Sequence, residues 1–221
     1  MSISSRPAVT HHTVTRHTAP PARTDVAPHP VAPPPTASSR PLRLLGVGLA
    51  VGAVIYGIAF MARAVGLAGG FVIDATGLVF QLGVFCLLAA MWRTGATGTT
   101  RLARTMLVVE AVVLGIATVQ SAFTLPAAGG EWGTVATVLD PFWPLSMLGM
   151  AVIGVKVAVA GRWRGALRAW PVVAETWVFV AMGSMALLSQ TVGELVAGAH
   201  FVLGYGVLGL LLAVRPDLTR R

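Results

Sequence analysis

After Arg43 the chain consists of long apolar stretches separated by short breaks rich in Gly, Pro, Thr or Arg. A helix needs about 20 apolar residues to cross the hydrocarbon core of a bilayer. Six stretches meet that length: 44–62, 71–92, 104–125, 141–161, 170–188 and 192–214. The breaks at Gly66–Gly70, Arg93–Arg104, Pro126–Val138, Gly161–Arg168 and Ser189–Thr191 are too short to hold a soluble module, so consecutive spans are expected to run antiparallel. The pattern predicts an all-α polytopic membrane protein. Its six transmembrane helices occupy residues 41–215, and a short basic tail, 216–221, follows.

Residues 1–40 obey different rules. Nine of the fourteen prolines lie between Pro7 and Pro41, and Ala27–Pro35 reads APHPVAPPP. Proline lacks the backbone N–H that helices and central strands require. The expectation is a disordered, cytoplasmic N-terminal tail with polyproline II character toward its end. It is not a signal peptide, since no apolar run precedes residue 44. His11, His12, His17 and His29 are read as solvated, and weak metal binding by them is the alternative.

Composition agrees with the span pattern. Of 221 residues, 55% are hydrophobic and 11% charged, and the mean hydropathy is +0.77. A soluble domain carries about 25% charged residues, so this composition excludes one. The single cysteine, Cys86, excludes an intrachain disulfide, a CxxC pair and a thiolate zinc site.

The net charge of +8 suggests nucleic-acid binding only if the basic residues cluster on a soluble face. They do not. Numbering the compartments alternately, one side holds fourteen of the fifteen arginines and the other holds only Arg63, with Glu131 in its second loop. Arginine marks the cytoplasmic side. The expected orientation is N-in and C-in, in a plasma or inner membrane, with no nucleic-acid partner. Trp92, Trp132, Trp143, Trp163 and Trp170 fall at predicted boundaries, where an indole prefers to sit, and Trp177 falls inside a span. Between spans four and five, Arg162, Trp163, Arg164, Arg168 and Trp170 alternate basic and aromatic character. They are read as inner-interface anchors, or as a site for anionic lipid or a protein partner.

Ionisable residues at membrane depth are costly and are functional candidates by default. Three are explicable as helix starts: Asp140 before Pro141 as an N-cap, Glu194 as the end of a capping box begun at Thr191, and Asp74 in a first turn. The alternative makes Asp74, Asp140 and Glu194 an outer vestibule that attracts cations. Glu110 shares a helical stripe with Ala117, Ser121 and Thr124, opposite Val108, Val112, Ile116, Val119 and Phe123, so it is expected to face the bundle. Counting from Arg104 and Arg162 places Glu110 level with Lys156, with Glu175 nearby, and predicts a Glu110–Lys156 ion pair. Snorkelling of Lys156 is the alternative. His200 lies beside Gly193, Ala197 and Gly204 and should face protein, as an interhelical hydrogen bond or a proton relay.

No catalytic pattern is present. Gly-x-Ser-x-Gly, His-Glu-x-x-His, P-loop and dinucleotide-binding motifs are absent from the sequence, so no enzyme, cofactor or metal is expected. Two function classes remain. One is a non-catalytic membrane component, an accessory, scaffold or regulatory protein or a homo-oligomer acting through its helix faces. The other is a small-solute or proton-coupled transporter or channel using Glu110, Lys156, Glu175 and His200. The sequence favours the first, because it shows no mid-helix Gly/Pro break of the kind that marks transporter sites.

Overall fold

The computed structural model describes residues 39–127 and 133–219, and the backbone throughout those ranges is helices and turns. The Pro- and His-containing tail, Glu131, Trp132, Arg220 and Arg221 lie outside the described residues. The helices are α1 (Arg40–Ala64), α2 (Gly70–Thr94), α3 (Arg101–Thr124), α4 (Thr134–Leu139), α5 (Phe142–Ala160), α6 (Ala166–Glu175), α7 (Trp177–Leu187), α8 (Gln190–Phe201) and α9 (Val207–Val214). Taken as continuous runs, they give six helices long and apolar enough to cross a membrane: Arg40–Ala64, Gly70–Thr94, Arg101–Thr124, Thr137–Ala160, Ala166–Leu187 and Gln190–Val214. The exterior carries Leu44, Val51, Ile58, Val112, Val119, Val152 and Leu210, all exposed. So apolar a surface suits hydrocarbon and not water.

Local chemistry explains where the helices begin and end. Pro41 stands in the first turn of α1, where its missing N–H costs nothing. Thr100 and Ser189 are the caps of α3 and α8, their hydroxyls accepting from Ala103 N and Val192 N at 3.2 Å each. Gly95 and Gly161 adopt left-handed conformations that close α2 and α5. The helices extend past the predicted spans mainly at their charged ends. Counting apolar residues stops at Arg43 and restarts at Trp170, yet Arg40, Arg43 and Arg168 are helical.

Consecutive spans run antiparallel, and small residues allow the closest approaches. A Cβ on Gly57 would lie 2.6 Å from Gly198 O, and one on Gly198 would lie 2.5 Å from Gly57 O. Gly46 and Gly209 show the same mutual exclusion. The first and last spans therefore touch backbone to backbone. Around this seam lies an aromatic cluster. Phe201 contacts Tyr56 (4.8 Å between centroids), Phe80 (5.0 Å) and Trp177 (4.7 Å), and Trp177 meets Trp143 at 6.0 Å.

Two departures from regular helix were not expected. Span five has a one-residue irregularity at Thr176 (φ −73°, ψ −5°, still right-handed), between α6 and α7, and span six contains a π-helical turn, Val202–Gly206, between α8 and α9. Span five also starts at Ala166, so Pro171 is its sixth residue and lies inside α6.

Candidate functional site

The two irregularities face each other. Pro171 has no N–H to give Leu167 O, and α6 ends four residues later. At the break, the Thr176 amide turns back to Val173 O (3.2 Å), and the Thr176 hydroxyl donates to the same oxygen at 2.8 Å. His200 Nε2 approaches that carbonyl at 2.9 Å. A carbonyl only accepts, so Nε2 carries the proton there. In the opposite direction, the Trp170 indole donates to Gly204 O (3.0 Å) and Leu203 O (3.2 Å) in the π-turn. Each span thus donates a side-chain N–H to carbonyls at the other's irregularity, and Val173 O and Gly204 O also accept from their own segments.

Between these contacts Tyr205 donates its hydroxyl to Glu175 Oε1 at 2.5 Å. Glu175 is the last residue of α6, and Tyr205 stands in the π-turn. They are only 7% and 3% exposed. Close approach here depends on Gly204, whose Cβ would lie 3.0 Å from Ala174 Cα. A cavity of about 190 Å³ opens beside Glu175, lined by Met147, Ala151, Trp177 and Phe179 among others.

Glu110 is buried at 3% exposure, and its Oε1 accepts from Ser146 Oγ at 2.6 Å. Its other carboxylate oxygen lies where a side chain on Gly149 would sit. The expected Glu110–Lys156 pair is not formed: Lys156 is half-buried and makes no ion pair among the described residues. The register accounts for part of this. α3 begins at Arg101, not Arg104, which sets Glu110 about 4.5 Å deeper at 1.5 Å per residue. Lys156 lies ten residues past Ser146 along α5, about 15 Å away at the same rise. Glu110 lines a groove of about 500 Å³ between α3 and α5, otherwise nearly all apolar. Leu148 borders both this groove and the Glu175 cavity, so the two carboxyls line neighbouring spaces along α5.

At the end where α2 and α5 begin, Asp74 and Asp140 share a cavity of about 150 Å³ with Tyr56, Gln81, Ser121 and Thr124. The capping readings do not hold. α2 starts at Gly70 without an acidic residue in its first turn. α4 already reaches Leu139, so Asp140 sits in a joint and its side chain makes no cap bond. Ser189, not Thr191, caps α8, which moves Glu194 beyond the capping position. Glu194 instead accepts from Gln190 Nε2 (2.7 Å) and pairs with Arg63 Nε (3.4 Å). Arg63, the arginine that broke the alternation, is thereby matched. Glu194 does not line the Asp74–Asp140 cavity.

The basic-aromatic segment is dispersed. Trp163 is fully buried and donates to Thr94 Oγ1 at 3.0 Å, so it is core and not an interface anchor. Arg168 Nε donates to Ala158 O in the last turn of α5 (2.8 Å), and Arg164 reaches Asp217 O (3.4 Å). Trp170 is occupied at the π-turn. Arg162 alone of the five turns to a different cavity, with Arg93 and Arg104.

Sequence reasoning missed Tyr205, Ser146 and Thr176 as site members, whereas the interhelical bond expected of Gln81 is formed, its Nε2 donating to Ser121 Oγ at 2.9 Å. Pro171 was the one available signal for the break. Among the described residues no group of three His, Cys, Asp or Glu is placed to hold a metal. No family model, no curated protein and no solved structure matches this chain.

Proposed function

We propose that the chain is a small polytopic transporter or channel that moves protons, or a small solute coupled to them, with Glu175 as the central ionisable group. The observation that carries this reading is the interruption of span five beside a buried carboxylate, level with the π-turn of span six. Irregular backbone at membrane depth is tolerated where it is buried in protein or lines a cavity. π-turns also concentrate at functional sites. His200, bonded to the broken span, is the second titratable member. Glu110 across α5 is the third. Lys156 takes no part. The Asp74–Asp140 cavity serves as the entrance, and the aromatic cluster separates it from Glu175: Tyr56 and Trp143 line that cavity, while Trp177 lines the Glu175 cavity. The orientation proposed is both ends of the six-span unit on the cytoplasmic side of a plasma or inner membrane, supported by the arginine distribution. No enzymatic activity, cofactor or nucleic-acid partner is proposed.

One observation favours the second reading, a non-catalytic membrane component with a protein partner or a second copy on its helix faces. Glu110, Glu175 and Glu194 each have an internal hydrogen-bond partner, as purely structural carboxyls do. Reconstitution separates the readings. A transporter dissipates an imposed proton gradient in proteoliposomes, and Glu175→Gln abolishes that flux. Stable co-purification with a partner and no flux above empty vesicles favours the component.

A further inference from the structure

Three arginines from three different segments converge on one cavity at the end where α3 begins. Arg93 closes α2, Arg104 lies in the first turn of α3, and Arg162 follows α5. The cavity measures about 160 Å³, room for one phosphate-sized group and some water at about 30 Å³ per liquid water. Its lining contains no carboxylate, and among the described residues none of the three arginines forms an ion pair. Arg162 Nε is buried without a hydrogen-bond acceptor. Arg104 stacks over the Trp92 ring at 5.6 Å, which holds its guanidinium in place. Gly95, left-handed at φ 60°, packs beside Arg162: a Cβ there would lie 3.5 Å from Arg162 Nε, an ordinary contact.

Like charges gathered without a counter-charge repel, and a buried donor without an acceptor is costly. An anion corrects both faults. We infer that Arg93, Arg104 and Arg162 form a binding site for a phosphate group, supplied by an anionic phospholipid headgroup or by free phosphate. Guanidinium forks match phosphate oxygens in pairs, which favours phosphate over a simple halide. The segment Arg164–Trp170 takes no part, because its side chains are committed elsewhere. The site is independent of the transport reading.

The test uses the purified full chain in detergent, with the thermal unfolding midpoint followed against added phosphatidylglycerol, phosphatidylcholine or inorganic phosphate at fixed ionic strength. Wild type is expected to gain stability with phosphatidylglycerol and much less with phosphatidylcholine, whose ammonium the three arginines repel. Arg104→Gln and Arg162→Gln should each weaken the apparent affinity about tenfold, the loss of one charge-assisted contact. Arg215→Gln removes the same charge outside the cavity, where Arg215 pairs with Asp217 at 3.5 Å, and should leave affinity unchanged. If Arg162→Gln does not fold, exposed Arg93→Gln replaces it, with a weakening in the same direction. Stabilisation by inorganic phosphate alone assigns the site to free phosphate, and stabilisation by phosphatidylglycerol alone assigns it to lipid. Loss of affinity in Arg215→Gln equal to that in Arg104→Gln, or no stabilisation by either probe, overturns the proposal.

Discussion

Tyr205→Phe removes a single oxygen from the centre of the clasp between spans five and six. The lost hydrogen bond is 2.5 Å long and joins two side chains that are 3% and 7% exposed. Hydrogen bonds to charged groups contribute about 1.5–3 kcal/mol in water-soluble proteins. In membranes the mean is about 0.6 kcal/mol and the maximum about 1.7, because the unfolded reference state also finds partners. Glu175 here loses its one side-chain donor among the described residues in a nearly closed site, so the upper part of the membrane range applies, about 1.5 kcal/mol. The asymmetry is the sharper expectation. Leaving the carboxyl unpartnered costs more than removing both groups. Tyr205→Phe combined with Glu175→Met should therefore recover most of the loss. The assay is reversible unfolding in mixed micelles of the two single variants and the double variant. Additive costs in the double variant, or a cost below about 0.3 kcal/mol for Tyr205→Phe, would refute the claim that this bond holds the irregular segments together.

Other substitutions read out other parts of the structure. Glu110→Gln and Lys156→Gln should act additively in a double-mutant cycle, with coupling under about 0.3 kcal/mol, whereas an ion pair would couple them. Ser146→Ala should destabilise by about 1 kcal/mol in the same unfolding assay, and Glu110→Gln in that background should cost little more. Gly198→Ala places a methyl group against Gly57 O and should cost about 1–3 kcal/mol. Gly115→Ala, with open space around it, should stabilise by roughly 0.5–1 kcal/mol, so the melting points of the two variants move in opposite directions. Arg63→Gln should cost less than about 1 kcal/mol, because Arg63 is 45% exposed and its pair with Glu194 is screened.

Hydropathy was enough to find the six spans, because a lipid-facing helix has to be apolar over its length. The inward face of α3 was legible for the same reason: Glu110, Ala117 and Thr124 are buried, while Val108, Val112, Val119 and Phe123 are exposed. Partners were not legible. Depth counted from the nearest arginine assumes that the arginine marks the helix start, and α3 begins a turn earlier. That offset supplies about 4.5 Å of the roughly 15 Å between Lys156 and Ser146 along α5, and the rest comes from how α3 and α5 pack, which the sequence does not mark. Caps failed for a related reason. Asp140-Pro141 has the residues of a helix start, but a preceding helix, α4, occupies the approach and converts the start into a joint. The break at Thr176 and the π-turn leave no compositional mark except Pro171. Both are stabilised by groups on the facing span, His200 and Trp170, whose proximity only the fold supplies.

In the proposed transport function, Glu175 is the group through which charge crosses the bundle. The most direct measurement is the transient current from proteoliposomes adsorbed on a solid-supported membrane after a pH jump. Wild type should give a current above that of protein-free vesicles. Glu175→Gln, folded and incorporated to the same level, should reduce it to that background, while Lys156→Gln leaves it intact. A Glu175→Gln current equal to wild type, or a well-incorporated wild type with none, would contradict the proposed transport through Glu175.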